Sequence, residues 1–228
     1  TAPKVENVSV TDAIDGNGVV ADGDNVTITA NVTDTNDVAN VTADASGFGV
    51  ESVTLADDGP ASTAADDTYS AEITVDGPST TDGSRGVTVS STDEAGNGGM
   101  QAASSNDLTV DTTAPSVNSV QLTDAINENG VVADDDTVTI TANVTDANEI
   151  ANVTADATAF GVESVTLDDS GPNSTVDDDS YSAEISVDES STSDGDQSVT
   201  VSATDEAGNG GAQDIGSSND LTVDTGSP

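Results

Sequence analysis

The sequence predicts an all-β chain made of two tandem β-sandwich domains, residues 1–112 and 113–228. Three observations carry that expectation. The text repeats itself after 112 residues, apolar and polar residues alternate with a period of two, and clusters of Gly, Asp, Asn and Pro interrupt the alternation at short intervals. "TDAIDGNGVVADGDNVTITANVTD", from Thr11 to Asp34, returns as "TDAINENGVVADDDTVTITANVTD", from Thr123 to Asp146. "ANVTADASGFGVESVTL" returns as "ANVTADATAFGVESVTL", and "STDEAGNGG" as "ATDEAGNGG".

Each strand follows from the alternation. In the first repeat strands are expected at about 4–10, 26–33, 38–44, 50–56, 68–75, 86–92 and 107–111. Val26, Ile28, Ala30 and Val32 alternate with Thr27, Thr29, Asn31 and Thr33. Tyr69, Ala71, Ile73 and Val75 alternate with Ser70, Glu72 and Thr74, and Val87 and Val89 with Thr88 and Ser90. Such strands have one buried face and one wet face. "DDGP", "DGPSTTDGS" and "DEAGNGG" separate them as turns, and no stretch carries a helical stripe. Seven short strands per repeat predict an immunoglobulin-like sandwich of about seven strands. Its core is expected to be thin, built of Val, Ile, Ala and Leu, with Phe48 and Tyr69 as its large aromatics and Phe160 and Tyr181 in the second repeat.

The charge is extreme. Forty-four acidic residues face two basic ones, Lys4 and Arg85, for a formal net charge of −42. Nucleic acid is excluded as a partner because binding it requires Lys and Arg to displace counterions. Anionic membrane surfaces are excluded on the same ground. A chain so charged repels itself in dilute buffer. Near 1 M salt, where the Debye length is about 3 Å, that repulsion is screened, so a halophilic source is expected. There is no Cys, hence no disulfide or thiol chemistry. No apolar run approaches the roughly 20 residues of a membrane span, and no signal peptide is recognisable, so this segment is not expected to enter a membrane itself. The opening "TAPKVENVSVTDAI" matches the phrase at Thr113, and the closing "LTVDTGSP" echoes "LTVDTTAP" at Leu108. Two links of a longer array, cut at equivalent joints, are therefore expected.

"DTTAP" at the joint, "TDEAGN" before the last strand and "DDTYSAEITV" in the middle resemble the tandem Ig-like repeats of bacterial and archaeal cell-surface proteins. The Asp- and Thr-rich versions of haloarchaeal surface proteins are the nearest likeness. The resemblance spans the whole chain and implies an extracellular, cell-surface location. It specifies the domain family better than the task, because such domains serve adhesins, surface layers, filaments and enzyme appendages alike. Many relatives place Gly before the Tyr, where this chain has Thr68 and Ser180.

Catalysis is not expected. Without His there is no imidazole base or ligand, and carboxylates in turns next to Gly and Ser stay solvated and ionised. Calcium is the candidate cofactor, since it takes six to eight oxygen ligands and the chain offers carboxylates in clusters. Candidate ligands are Asp12, Asp15, Asn17, Asp22 and Asp24 in the first loop, with Asp124, Asp134 and Asp136 in its copy. Asp111 follows the last strand of repeat 1, and Asp146, Asp205 and Asn209 lie in the second repeat. The spacing is not that of an EF-hand, because Val19 stands where the third side-chain ligand would be counting from Asp15. The same Asp residues are equally suited to closing turns. Short connection at the joint would bring the acidic loop from Asp12 to Asp24 towards Asp146, Asp205 and Asn209, a stiff and cation-sensitive junction. Seven Asn-x-Ser/Thr sequons occur, at Asn7, Asn25, Asn31, Asn40, Asn143, Asn152 and Asn173, and are glycosylation candidates.

Two functions follow. The first is a structural module, a rigid stalk, surface-layer element or filament whose partners are copies of itself or further Ig-like repeats. The second is an adhesin or carbohydrate-binding repeat, or a spacer of a secreted enzyme. Sugar platforms expose Trp or Tyr, and this chain has no Trp.

Overall fold

The computed structural model describes residues 1–35, 37–57, 67–99, 102–169, 179–214, 220–224 and 226. The chain divides into two compact units, Thr1–Thr112 and Thr113–Pro228. Both are all-β, and their described residues form strands and single-turn 3₁₀ segments.

In the first unit the strands are β1 (Lys4–Asp12), β2 (Val19–Val20), β3 (Asn25–Thr33), β4 (Val38–Ala45), β5 (Val50–Thr54), β6 (Thr68–Thr74), β7 (Gly83–Arg85), β8 (Thr88–Asp93), β9 (Ala102–Ala103) and β10 (Leu108–Val110). They form sheets of order β1-β3-β6, β2-β10-β7 and β5-β4-β8-β9. All seven expected strands are present. The additions are β2, β7 and β9, of two or three residues each. β7 falls inside "DGPSTTDGS", expected as a turn. Its backbone pairs antiparallel with β10, Ser84 opposite Thr109. β10 also runs parallel to β2, Val110 beside Val20.

The second unit repeats this order. Its strands are β11 (Ser116–Asp124), β12 (Val131–Val132), β13 (Thr137–Thr145), β14 (Ile150–Ala157), β15 (Val162–Thr166), β16 (Ser180–Ser186), β17 (Gly195–Gln197), β18 (Thr200–Asp205), β19 (Gly210–Asp214) and β20 (Leu221–Val223). The sheets are β11-β13-β16, β12-β20-β17 and β15-β14-β18-β19.

The period of two decides which residues meet. On β3 Val26, Ile28, Ala30 and Val32 are buried, and on β4 Val41, Ala43 and Ala45 point at them from the facing sheet. Each unit holds one contiguous core of this kind, closed in the first by Phe48 and in the second by Phe160, both fully buried. Phe48 ends a 3₁₀ turn capped by Gly49 at φ +83°. A Cβ at Gly49 would also sit 2.6 Å from the Asp76 carbonyl oxygen, so both conformation and space require glycine there.

Tyr69 and Tyr181 correct an expectation. They pack against the cores but are only half-buried. Strand parity aims Tyr69 inward with Ala71 and Ile73, yet it lies near the start of β6, the edge of its sheet. Burial first, then the charges of Asp57 and Asp67, push the Tyr69 hydroxyl above its usual pKa; burial with Asp169 and Asp179 does the same for Tyr181.

The two aromatics should therefore separate on truncation. Phe48→Ala is expected to cost about 4 kcal/mol and Tyr69→Ala about half of that, because the ring of Tyr69 leaves less apolar surface to re-expose. Denaturant melts of the two variants check this, and equal losses would show that the Tyr ring is as much core as the Phe.

Candidate functional site: the aspartate turns at the repeat ends

An aspartate at the end of a strand has a carboxylate short enough to turn back and accept N–H groups of the next few residues. Several candidate ligands accept backbone N–H groups, some of them in this way. Asp12, at the end of β1, is 6% exposed and accepts from the backbone N–H of Ile14 at 2.8 Å and of Gly16 at 3.0 Å. Burial pushes its carboxyl up, but the N–H groups of Ile14, Gly16 and Gly18 and the Asp15 carboxyl outweigh it, and the net shift is downward. Asp15 accepts from both the backbone and side-chain nitrogens of Asn17 at 3.0 Å, and Asn17 accepts in turn from Val19 N–H at 2.6 Å. Asp22 accepts from Gly77 N–H and Asp24 from Ala21 N–H, each at 2.8 Å.

The copies behave alike. Asp124, 2% exposed, accepts from Ile126, Asn127 and Asn129 N–H groups at 2.9–3.3 Å. Asp136 accepts from Ala133 at 2.9 Å, while Asp134 is exposed. Asp111 is fully buried and its N–H donates to the Val20 carbonyl at 2.9 Å, just past the end of β10. Among the described residues, no three carboxylates of one unit gather within 4.8 Å.

At the other end of each unit the "DEAGN" turn forms a clamp. Asp205 ends β18 at 2% exposure and grips Asn209 twice, accepting from its backbone N–H at 2.9 Å and its side-chain amide at 3.0 Å. The Asp205 N–H returns a bond to the Asn209 carbonyl at 3.2 Å. Gly208, at φ +85°, supplies the left-handed residue that the turn requires. Asp93 and Asn97 repeat the clamp at 2.8 and 2.7 Å. The Asn97 amide and N–H hold the Asp93 carboxyl below its usual range. Asp146 accepts from Asn148 N–H at 2.8 Å, and one of its oxygens lies within 4.8 Å of one of Asp205. That pair of like charges lies at the turn end of the second unit.

Several residues that fix the ends were not singled out in the sequence. Asp82 accepts from both the N–H and the hydroxyl of Thr112, at 2.8 and 2.7 Å. Gly211 is pressed by the Pro115 carbonyl so closely that a Cβ there would fall 1.9 Å from the oxygen, and Gly99 is pressed by Pro3 in the same way at 2.6 Å. Asn106 exchanges two bonds with Val10, tying β1 to the segment before β10. The doubled glycine in "AGNGG" is the one visible signal. Arg85 is spent internally, on Thr81, Ser84 and Asp82 carbonyls. Its counterpart Gln197 makes the matching bond to Ser193 at 2.7 Å, so the lone arginine braces its turn as the glutamine does.

Among the sequons, Asn31 and Asn143 donate from Nδ2 to the Asp67 and Asp179 carbonyls, each at 3.2 Å. Asn25 donates to Glu72 at 2.9 Å and accepts from Thr74 at 3.1 Å. Asn40 and Asn152 are exposed, Asn7 is exposed at a bulge with φ +50°, and Asn173 lies outside the described residues. No helix among the described residues is long and apolar enough to cross a membrane, which says nothing of strand-built membrane proteins.

No protein-family profile matches the chain. Halomucin of the haloarchaeon Haloquadratum walsbyi is 50% identical over 98 residues, 43% of this chain. The chain spans about 1% of the length of that relative. Among solved structures, fibronectin(III)-like modules of Clostridium thermocellum CbhA match at 14% identity over 98% of this chain and 93% of theirs, with a TM-score of 0.35. The D00–D0 domain of intimin matches at 16% identity over 95% and 98%, with a TM-score of 0.32. At such scores neither overlay bears on function.

The carboxylate turns predict an acid limit. Asp12, Asp44, Asp93, Asp156 and Asp188 have folded-state pKa values below the ordinary 3.8, held there by hydrogen bonds to the charged form. Their stabilisation is complete above that ordinary value and is lost as pH falls below it towards the folded values. In molar salt, where relief of charge repulsion is screened out, the melting temperature should hold from pH 7 to 5 and drop below pH 4. A melting temperature that rises on acidification in molar salt would show that repulsion outweighs these bonds.

Proposed function

We propose that the chain is a structural module of a longer extracellular array, a stiff stalk, surface-layer element or filament of a halophilic cell surface, held by cations. The likeness to halomucin supports a haloarchaeal setting, and the charge of −42 supports a habitat of strong salt. The observation that carries the reading is how the chain leaves one repeat and enters the next. Thr112 is tied to Asp82, and Pro115 is packed against Gly211. Only Thr113 and Ala114 separate these two anchored points, and Pro115 has a fixed φ. A connection this short supports a strut over a flexible linker.

Cations enter through the like charges. Two carboxylates 4 Å apart repel by about 1 kcal/mol in water and about 4 at an effective dielectric near 20. Asp146 and Asp205 come within 4.8 Å of each other with no Lys or Arg to offset them, since Lys4 pairs with Glu6 at 2.6 Å and Arg85 braces its own turn. Na⁺, K⁺ or Ca²⁺ would supply the compensation. An adhesive or sugar-binding role finds less support, because both Phe are buried and both Tyr are packed on the cores.

Small-angle scattering of the two-repeat chain tests stiffness. In molar salt the distance distribution should be narrow, and Asp82→Ala, which frees Thr112, should broaden it. A distribution that is broad in the parent chain leaves the joint a plain hinge. Circular dichroism tests the cations. Transfer from molar salt to dilute EDTA buffer should lower the melting temperature by roughly 10 °C or more, about 2 kcal/mol for a repeat of this size. An unchanged melt rules out the cation requirement.

A further inference from the structure

We propose that Asn40 and Asn152 are the N-glycosylation sites of the described chain, one at the same place on each repeat, and that Asn25, Asn31, Asn143 and Asn7 are not modified. The inference does not depend on the stiffness of the joint.

Strand parity already puts Asn31, Asn40, Asn143 and Asn152 on polar faces, and the structure divides these four. Modification requires the Asn amide nitrogen and the hydroxyl two residues on to face an enzyme together. In an extended strand residues i and i+2 lie on one face, so Asn40 with Thr42, and Asn152 with Thr154, present both groups outward from the four-stranded sheets. The buried residues between and beyond them, Val41 and Ala43 or Val153 and Ala155, fix that orientation. Asn40 and Asn152 are exposed and make no side-chain hydrogen bond to a described residue. Their cross-strand neighbours are Thr92 and Thr204, short side chains that leave room above the sheet.

The other sequons are engaged. The amide nitrogens of Asn31 and Asn143 close the ends of β6 and β16 through the Asp67 and Asp179 carbonyls. Asn25 uses its nitrogen and its oxygen on Glu72 and Thr74. Asn7 sits in a left-handed bulge, and its sequon hydroxyl, on Ser9, is bonded to Thr29 at 2.6 Å. Asn7 also has no counterpart, because Ser119 occupies its place in the second repeat.

The co-substrate is a sugar carried on a lipid phosphate. Asn Nδ2 attacks the anomeric carbon, the C–N bond forms, and the bond from that carbon to the phosphate oxygen breaks with its electron pair leaving on the lipid phosphate. The amide gives up one proton to the transferase and keeps the other. No oxidant or reductant is needed.

Peptide mass spectrometry of the full chain, purified from a halophilic archaeal host that makes lipid-linked sugars, decides the matter. Sugar masses are expected on Asn40 and Asn152, with Asn7, Asn25, Asn31 and Asn143 bare. Asn40→Gln with Asn152→Gln should remove them while circular dichroism stays unchanged. Thr42→Val and Thr154→Val should abolish modification at the adjoining Asn, and Thr42→Ser should restore it at Asn40. Bare Asn40 or Asn152, or sugar on any of the four engaged sequons, would overturn the assignment.

Discussion

The bond on which the rest of the molecule depends is the aspartate carboxylate accepting backbone N–H groups in a turn. Asp12, Asp124, Asp93 and Asp205 each end a strand and organise the loop that follows it. Charge-assisted bonds of this kind are roughly twice as strong as neutral ones. They let thin cores of Val, Ala and Ile, each with a single buried Phe, be closed at both ends without disulfides. The same carboxylates are the source of the net charge, so what shapes each turn also loads the molecule with repulsion.

Strong salt resolves that tension unevenly. Mobile ions screen charges separated by more than a Debye length, about 3 Å at 1 M. They act far less on a carboxylate bonded at 2.8 Å to an N–H group in a nearly buried turn. Repulsion between turns is therefore removed while the bonds inside them persist. An acidic surface suits a saline solvent for this reason, and no compensating lysines are needed.

Much of the fold was legible because the alternation is long and strict. Val26 to Thr33 and Val41 to Ala45 have burial that follows parity residue by residue, and "DEAGN" announces its turn through Asp, Gly and Asn. β2, β7 and β9 were not legible, being two or three residues with no period to detect. Gly83–Arg85 carries turn residues and becomes a strand only because β10 lies beside it. Tyr69 was placed too deep because parity reports the face of a strand and not its distance from the sheet edge. The candidate site was half legible. Asp clusters mark where turns close, but the anchors Asp82–Thr112 and Gly211–Pro115 join residues 30 and 96 positions apart, and no local pattern encodes such pairs.

The parallel pairing of β10 with β2 has a mechanical consequence. The chain enters each repeat through β1, whose partner is β3, and leaves through β10, which is held on both sides by β2 and β7. A pull on the chain just past Val110, directed along β10, would load that strand lengthwise. Its hydrogen bonds lie across that direction, so they share the load and must break together instead of opening one by one like a zipper. A repeat wired in this way resists being drawn out at its exit strand, even with a core of small side chains.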